Sequence, residues 1–227
     1  IILLAFLFQG LRTTAQISRQ VHLNRYTQKQ GLSSYYITKI IKDHYGFLWI
    51  GTQEGLNLFD GQHFTIFSRQ SDPNRRLGGS FVADIAEDAS RNILWVLTAY
   101  GDITGIDLRN RSVIKKIIHD QDGKPLSQKW VRSLAISGDT LFIGGLGVFS
   151  AYNLKTSGYV TNPVSSNIRT GAGNLNLSKM VTDIHRNIWL FSEGQGIIIL
   201  NKACQEIRSY TSASPERLFN KGNLQFW

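Results

Sequence analysis

The sequence predicts an all-β protein, an incomplete β-propeller of four-stranded antiparallel blades, and three observations carry that prediction. Short β-prone runs bounded by Gly, Asp and Asn turns follow one another along the chain. Aligned on one aromatic residue, the pattern returns at Trp49, Trp95, Phe142 and Trp189, with offsets of 46, 47 and 47. No helical period of comparable length competes with it. A unit of four short strands cannot cover both faces of its own sheet, so such a period implies units stacked around an axis.

The N-terminus comes first. Ile1 to Phe8 (IILLAFLF) is apolar but too short to span a bilayer, and Arg12-Thr13-Thr14-Ala15 follows with small residues where a signal peptidase reads. Residues 1–15 therefore read as a truncated signal peptide cleaved after Ala15, with a buried N-terminal strand or helix as the other reading. The propeller occupies 16–227. Residues 21–26 (VHLNRY) resemble an outer strand that would close a ring by completing its last blade, and 222–227 (GNLQFW) resemble the first strand of a further blade. The expectation is a piece of a longer protein whose open sheet edges are prone to association.

Between these ends lie four blades, at about 37–67, 82–118, 131–161 and 180–210. In the first, strands are expected at Ile37 to Lys42, Phe47 to Thr52, Leu56 to Phe59 and His63 to Phe67, with Gln53-Glu54-Gly55 as a hairpin turn and Asp60-Gly61 as the next reversal. The second has Val82 to Ala86, Leu94 to Thr98, Ile103 to Ile106 and Val113 to Ile118. The third has Val131 to Ile136, Thr140 to Ile143, Val148 to Tyr152 and Gly158 to Thr161. The fourth has Met180 to Thr182, Ile188 to Phe191, Gly196 to Leu200 and Glu206 to Tyr210. Trp49, Trp95, Phe142 and Trp189 are expected to fill the space between sheets. Asp60, Asp107, Asn153 and Asn201 close the third strand of each blade, while Asp43, Asp88 and Asp183 lie six or seven residues before the aromatic and are expected to bond turn amides.

Composition narrows the function. With 227 residues, 42% hydrophobic and 11% aromatic, the chain is globular and long enough to bury a core. The formal charge of +9 suits acidic partners, but it is spread in pairs such as Arg75-Arg76 and Lys115-Lys116, which favours a solvated basic surface over an evolved anion site. With Cys204 as its one cysteine, the chain can form no intramolecular disulfide, and no zinc pattern is present. Neither metal nor cofactor is expected, and the lack of a basic stripe argues against nucleic acid.

The run Asp43 to Gly61, D-x-x-G-x-L-W-I-G-T-x-x-G-L-x-x-F-D-G, preceded by Gly31-Leu32-Ser33-Ser34, resembles the two-component regulator propeller repeat. The other copies depart from it: Leu97 and Phe191 replace the motif glycine, Gly145 and Ser192 its threonine, and Phe142 its tryptophan. WD repeats place Trp-Asp at the end of the third strand, and kelch repeats want a diglycine at the end of the second strand, where only Gly144-Gly145 offers one. The resemblance implies the periplasmic ectodomain of an inner-membrane hybrid two-component regulator from Bacteroidetes-type bacteria. In that family, propellers and an immunoglobulin-like domain precede a membrane helix, a histidine kinase, a receiver and a DNA-binding domain. It also implies sensing of oligosaccharides from polysaccharide breakdown, neutral or acidic, in a homodimeric full-length sensor. This chain itself would not be an enzyme. A glycan lyase or hydrolase, and an adhesion or scaffold propeller, are the alternatives.

Propeller ligands bind over the axis, at the end of the blades that carries the turns between second and third strands and the loops between blades. The turns offer Gln53, Glu54, Tyr100, Asp102, Glu193 and Gln195, and the loops Arg75, Arg76, Lys129, Trp130 and Arg169. Tyr100 and Trp130 can stack on a sugar face, and the others can hydrogen-bond hydroxyls, although Trp130 adjoins a strand and can equally be core. No catalytic residues are expected: Asp43-His44 and Asp183 with His185 are the nearest to an acid and base pair, and both lie in turns at the opposite end.

Overall fold

The computed structural model describes residues 24–99, 102–160 and 175–210. It contains four sheets, each a four-stranded antiparallel meander in sequence order. Blade 1 comprises β1 (Ile37–Lys42), β2 (Leu48–Thr52), β3 (Gly55–Phe59) and β4 (Phe64–Phe67). Blade 2 comprises β5 (Val82–Asp88), β6 (Ile93–Thr98), β7 (Ile103–Asp107) and β8 (Ser112–Ile117). In blade 3 are β9 (Trp130–Ser137), β10 (Thr140–Leu146), β11 (Val148–Asn153) and β12 (Gly158–Tyr159). Blade 4 holds β13 (Leu177–Thr182), β14 (Ile188–Ser192), β15 (Gly196–Leu200) and β16 (Glu206–Tyr210). The all-β propeller architecture expected from the repeat is the one observed. Residues 1–15, read from the sequence as a signal peptide, lie outside the described residues, as do residues 21–23 and 222–227, and residues 24–26 carry no strand.

Two strands differ from the sequence reading by three residues, each for a local reason. Strand β10 continues through Gly144-Gly145 to Leu146 instead of stopping at Ile143, and the chain turns at Gly147 with φ +65°. Gly145 serves pairing and not the turn: a Cβ on it would lie 1.9 Å from the Trp130 carbonyl oxygen. Strand β13 begins at Leu177, three residues before the expected Met180, because Leu177 is wholly buried and pairs with Ser192.

Apolar residues of facing sheets make three successive layers. Trp49 packs with Leu77, Val82, Ile85, Leu94 and Val96 between blades 1 and 2. Trp95 and Leu97 meet Val131, Leu134 and Leu141 between blades 2 and 3, and Phe142 meets Met180, Leu190 and Ile198 between blades 3 and 4. Trp49, Trp95 and Phe142 are at most 1% exposed, whereas Trp189, on the other face of blade 4, is half-buried. Burying an indole of roughly 200 Å² contributes on the order of 5 kcal/mol of transfer free energy at most, so these aromatics dominate the layers.

The turn carboxylates and amides fasten each blade. Asp60 Oδ1 accepts from the backbone N–H groups of Gln62 and His63, Asp107 Oδ1 from Asn110, Asn153 Oδ1 from Lys155 and Thr156, and Asn201 Oδ1 from Ala203 and Gln205. Neighbouring blades are also bonded at the end that carries the first turns. His44 contacts Glu87, Arg91 contacts Asp139, and Ser137 Oγ donates to the Arg186 carbonyl.

The inner strands share a feature that no motif announced. Each of β1, β5, β9 and β13 has a bulge near its start, where Thr38, Ala83, Arg132 and Ser178 are the extra residues. The residues that follow, Lys39, Asp84, Ser133 and Lys179, meet at the axis. Asp84 Oδ2 accepts from Ser133 Oγ and Leu134 N at 2.9 Å each, while Oδ1 accepts from Lys39 Nζ and, at 3.1 Å, from Lys179 Nζ. Ser133 Oγ accepts in turn from Met180 N at 3.0 Å. One fully buried carboxylate thus joins the inner strands of all four blades.

Candidate ligand site over the propeller axis

The residue two positions before each bulge residue is aromatic in three blades: Tyr36, Phe81 and Trp130. The corresponding residue in blade 4 is Asn176. The backbone of this position is clamped by the neighbouring hairpin turn. Gln53 N donates to the Tyr36 carbonyl at 3.2 Å, Ala99 N to Phe81 at 2.8 Å and Glu193 N to Asn176 at 2.9 Å, while Trp130 pairs with Leu146 in the β9–β10 ladder. Three aromatic side chains therefore project from fixed backbone at the same end of the inner strands.

They surround a cavity of about 500 Å³, lined also by Lys129, Arg132 and Thr38. Tyr36, Phe81 and Trp130 are 53%, 37% and 56% exposed, far more than the interblade aromatics. The Tyr36 and Phe81 ring centroids lie 6.4 Å apart with planes tilted by 46°. Rings held open to solvent at this end offer flat apolar faces to a ligand, and a cavity of this size holds a small molecule.

The polar groups around the collar are preset. Lys129 Nζ lies 3.0 Å from Asp120 Oδ2. Burial pushes the Asp120 carboxyl up, but hydrogen bonds from the Lys124 and Asp122 amides and from Lys129 outweigh it and hold the group below its ordinary value. Arg132 donates to Asn176 Oδ1 at 3.0 Å and lies 3.6 Å from Glu193, which accepts from Asn176 Nδ2 at 2.7 Å. A guanidinium, an amide, a carboxylate and an ammonium are thus oriented beside three rings, an arrangement that can hydrogen-bond a hydroxyl-rich ligand.

Of the residues singled out from sequence, Lys129 and Trp130 line the cavity, and Trp130 is exposed instead of core. Gln53 and Glu193 sit in the turns that clamp the collar, with Glu54 and Gln195 beside them. Asp102 does not reach it: the side chain is buried, accepting from Gly78 N at 3.0 Å and Thr104 Oγ1 at 2.9 Å, with Lys116 at 3.3 Å. It closes the loop between blades 1 and 2, as Asn57 does for Ser33 in the first blade. Arg75 is paired with Asp72 and Arg76 with the Ser71 carbonyl, and neither lines the cavity. Tyr100 and Arg169 lie outside the described residues. Asp43 and Asp183 bond their own turns and the indoles of Trp49 and Trp189, so neither forms an acid–base pair with the nearby histidines. Among the described residues no group of three or more His, Cys, Asp and Glu is placed to hold a metal.

Tyr36, Phe81 and Arg132 were missed by sequence reasoning. The aromatic stands 13, 14 and 12 residues before Trp49, Trp95 and Phe142, and this drift of a residue hides it from an alignment anchored on the second strand. An alignment anchored on the start of the inner strand would have found it.

Stacked four-stranded meander blades define a β-propeller, with an aromatic collar at one end of its inner strands. Residues 31–54, the collar residue Tyr36 included, match the family model described as "Two component regulator propeller". Among solved structures, the chain is similar to the extracellular domain of the putative hybrid two component system BT3049 from B. thetaiotaomicron. The identity is 19% and the TM-score 0.66, over 83% of this chain and 26% of that one. It is also similar to the extracellular domain of the putative hybrid two component system BT4673 from the same organism, with 18% identity and TM-score 0.56 over 74% of this chain and 20% of that one. A second structure, the extracellular domain of the putative one component system BT4673, matches with 19% identity and TM-score 0.55, over 73% and 20%. The chain therefore spans between a fifth and about a quarter of these structures. Such identities show a shared fold. No curated protein matches the sequence.

Proposed function

We propose that this chain is part of the extracytoplasmic, ligand-sensing propeller region of a two-component regulator, acting by binding and not by bond-breaking. The observation that carries the reading is the collar of Tyr36, Phe81 and Trp130 around a cavity of about 500 Å³. The family match over residues 31–54 and the likeness to sensor ectodomains support it. Oligosaccharides fit the collar by chemistry: rings stack on the apolar faces of sugars, while Arg132, Lys129, Asn176 and Glu193 can bond hydroxyls. In the parent protein, ligand binding would shift how two sensor chains pack, and membrane helices would carry that shift to a downstream kinase in the cytoplasm. Among the described residues no helix is long and apolar enough to cross a membrane.

Calorimetry of this chain against a panel of neutral, sulfated and uronic oligosaccharides tests the reading. Saturable binding that Trp130→Ala and Tyr36→Ala both weaken supports it. Binding indifferent to both substitutions, or release of shorter glycans during the titration, sinks it.

A further inference from the structure

We propose that Lys39 and Lys179 form a receptor for a single oxyanion, a sulfate, phosphate or carboxylate, at the propeller axis. This site rests on residues other than the aromatic collar and stands independently of the sensing role. Asp84 holds both ammonium groups but cannot satisfy them. Its Oδ2 is occupied by Ser133 Oγ and Leu134 N, each at 2.9 Å, so the carboxylate cannot turn to give each lysine its own oxygen. Both lysines must therefore share Oδ1, which also accepts from Ile85 N at 3.0 Å.

An ammonium carries three donors, and among the described residues Asp84 is the hydrogen-bond partner of each lysine. Two ammonium groups drawn to one oxygen repel each other, and one carboxylate leaves a positive charge unmatched in the cluster. Burial holds the Lys39 ammonium below its ordinary value despite the pull of Asp84, and Lys179 pushes the same way. An oxyanion bridging the pair would accept from both ammonium groups and offset their repulsion. Solvent can deliver it, since the Lys39 and Lys179 side chains are 25% and 44% exposed. The bulges at Thr38 and Ser178 set this geometry, because they place each lysine in the same register on strands from blades 1 and 4.

The test uses the chain labelled with ¹³C at lysine Cε, titrated with sodium sulfate and separately with sodium glucuronate, against sodium chloride at matched ionic strength. Saturable shifts confined to the Lys39 and Lys179 signals are expected. Calorimetry should show sulfate or glucuronate affinity falling about tenfold or more in Lys179→Met, as loss of a charge-assisted hydrogen bond implies, with the exposed Lys155→Met as an unaffected control. Tighter sulfate points to a free inorganic ion and tighter glucuronate to the acid group of an organic ligand, and either supports the site. Shifts spread evenly over all lysines, or affinity unchanged by Lys179→Met, would overturn it. Because the labelled chain is unmutated, the first readout does not depend on any variant folding.

Discussion

The Trp49 indole N–H donates to Asp43 Oδ2 across 2.7 Å, inside the apolar layer between blades 1 and 2. The other Asp43 oxygen closes the turn, accepting from Tyr45 N and Phe47 N, so one carboxylate fixes both the hairpin and the ring that fills the interface. Trp189 and Asp183 repeat the pair at 3.1 Å, again six residues apart. In blade 2 the spacing is seven: Asp88 bonds Ser90 and Arg91 instead, and Trp95 Nε1 has no partner among the described residues. In blade 3 neither partner exists, since Phe142 needs no acceptor and Ile136 stands six residues before it.

Asp43→Ala should therefore cost about 1 to 3 kcal/mol for the orphaned indole, in addition to the cost of the opened turn. In a Trp49→Phe background the same substitution should cost less, because only the turn is lost. Urea denaturation of the four members of this double-mutant cycle measures the difference, and a coupling energy near zero would refute the pairing argument.

The Asp183 carboxyl responds to acid. The hydrogen bond from the Trp189 indole is the largest influence, and with those from Asn187 and His185 it outweighs burial and lowers the group from 3.8 to about 2. A depressed folded value means that the stabilisation is present above the unfolded value, about 3.9, and is lost as pH falls through about 2. The Trp189 indole ¹H–¹⁵N resonance should shift over that interval, and in Asp183→Asn the shift should vanish.

Much of the architecture was legible because it depends on repetition. The 46- and 47-residue offsets and the turn residues Asp60, Asp107, Asn153 and Asn201 fix where strands begin and end, since a third strand ending in Asp or Asn is followed by a side-chain-capped turn in every blade. The candidate site was legible only in part. Lys129 and Trp130 could be named as loop residues, but the inward turn of Asp102 depends on Gly78 from a loop 24 residues earlier, a contact with no local signature. The axial cluster was invisible for a stronger reason. Asp84 looks like a solvent-facing residue of an alternating strand, and a bulge of one residue, which sequence spacing does not reveal, turns it inward.

Gly51→Ala should destabilise the contact between the first two blades. A Cβ at this position would lie 2.8 Å from Val82 Cγ1 and 2.9 Å from Thr38 Oγ1, so strand β5 or the bulge must move. Overpacking of this kind costs roughly 1 to 3 kcal/mol. Gly144 occupies the equivalent place against Met180, at 2.8 Å, and Gly144→Ala should behave alike. An unchanged urea midpoint in both variants would mean that the blades slide more freely than the packing indicates.

Trp130→Ala should separate binding from stability. The side chain is 56% exposed, so its removal should move the thermal midpoint little while lowering affinity for a stacking ligand by about 1 to 1.5 kcal/mol. Trp95→Ala, wholly buried, should do the opposite and cost about 3 to 5 kcal/mol of stability. Thermal denaturation alongside calorimetry gives both numbers, and a large loss of stability in Trp130→Ala would assign that ring to the core.

Asp84→Ala should be among the most damaging single substitutions. Burial works against the Asp84 carboxylate, yet Lys39, Lys179 and the Leu134 amide outweigh it and hold the carboxyl below its ordinary value. Deleting it strands two ammonium groups at the axis and leaves Ser133 Oγ and Leu134 N without their acceptor, a loss of about 3 to 5 kcal/mol. Asp84→Asn keeps an oxygen for one of these partnerships and should cost less, and adding Lys39→Met to Asp84→Ala should recover part of the loss by removing one stranded charge. The ordering of the three variants in urea is the check. If Asp84→Asn proved as damaging as Asp84→Ala, and Lys39→Met rescued nothing, charge would not be what ties the four inner strands together.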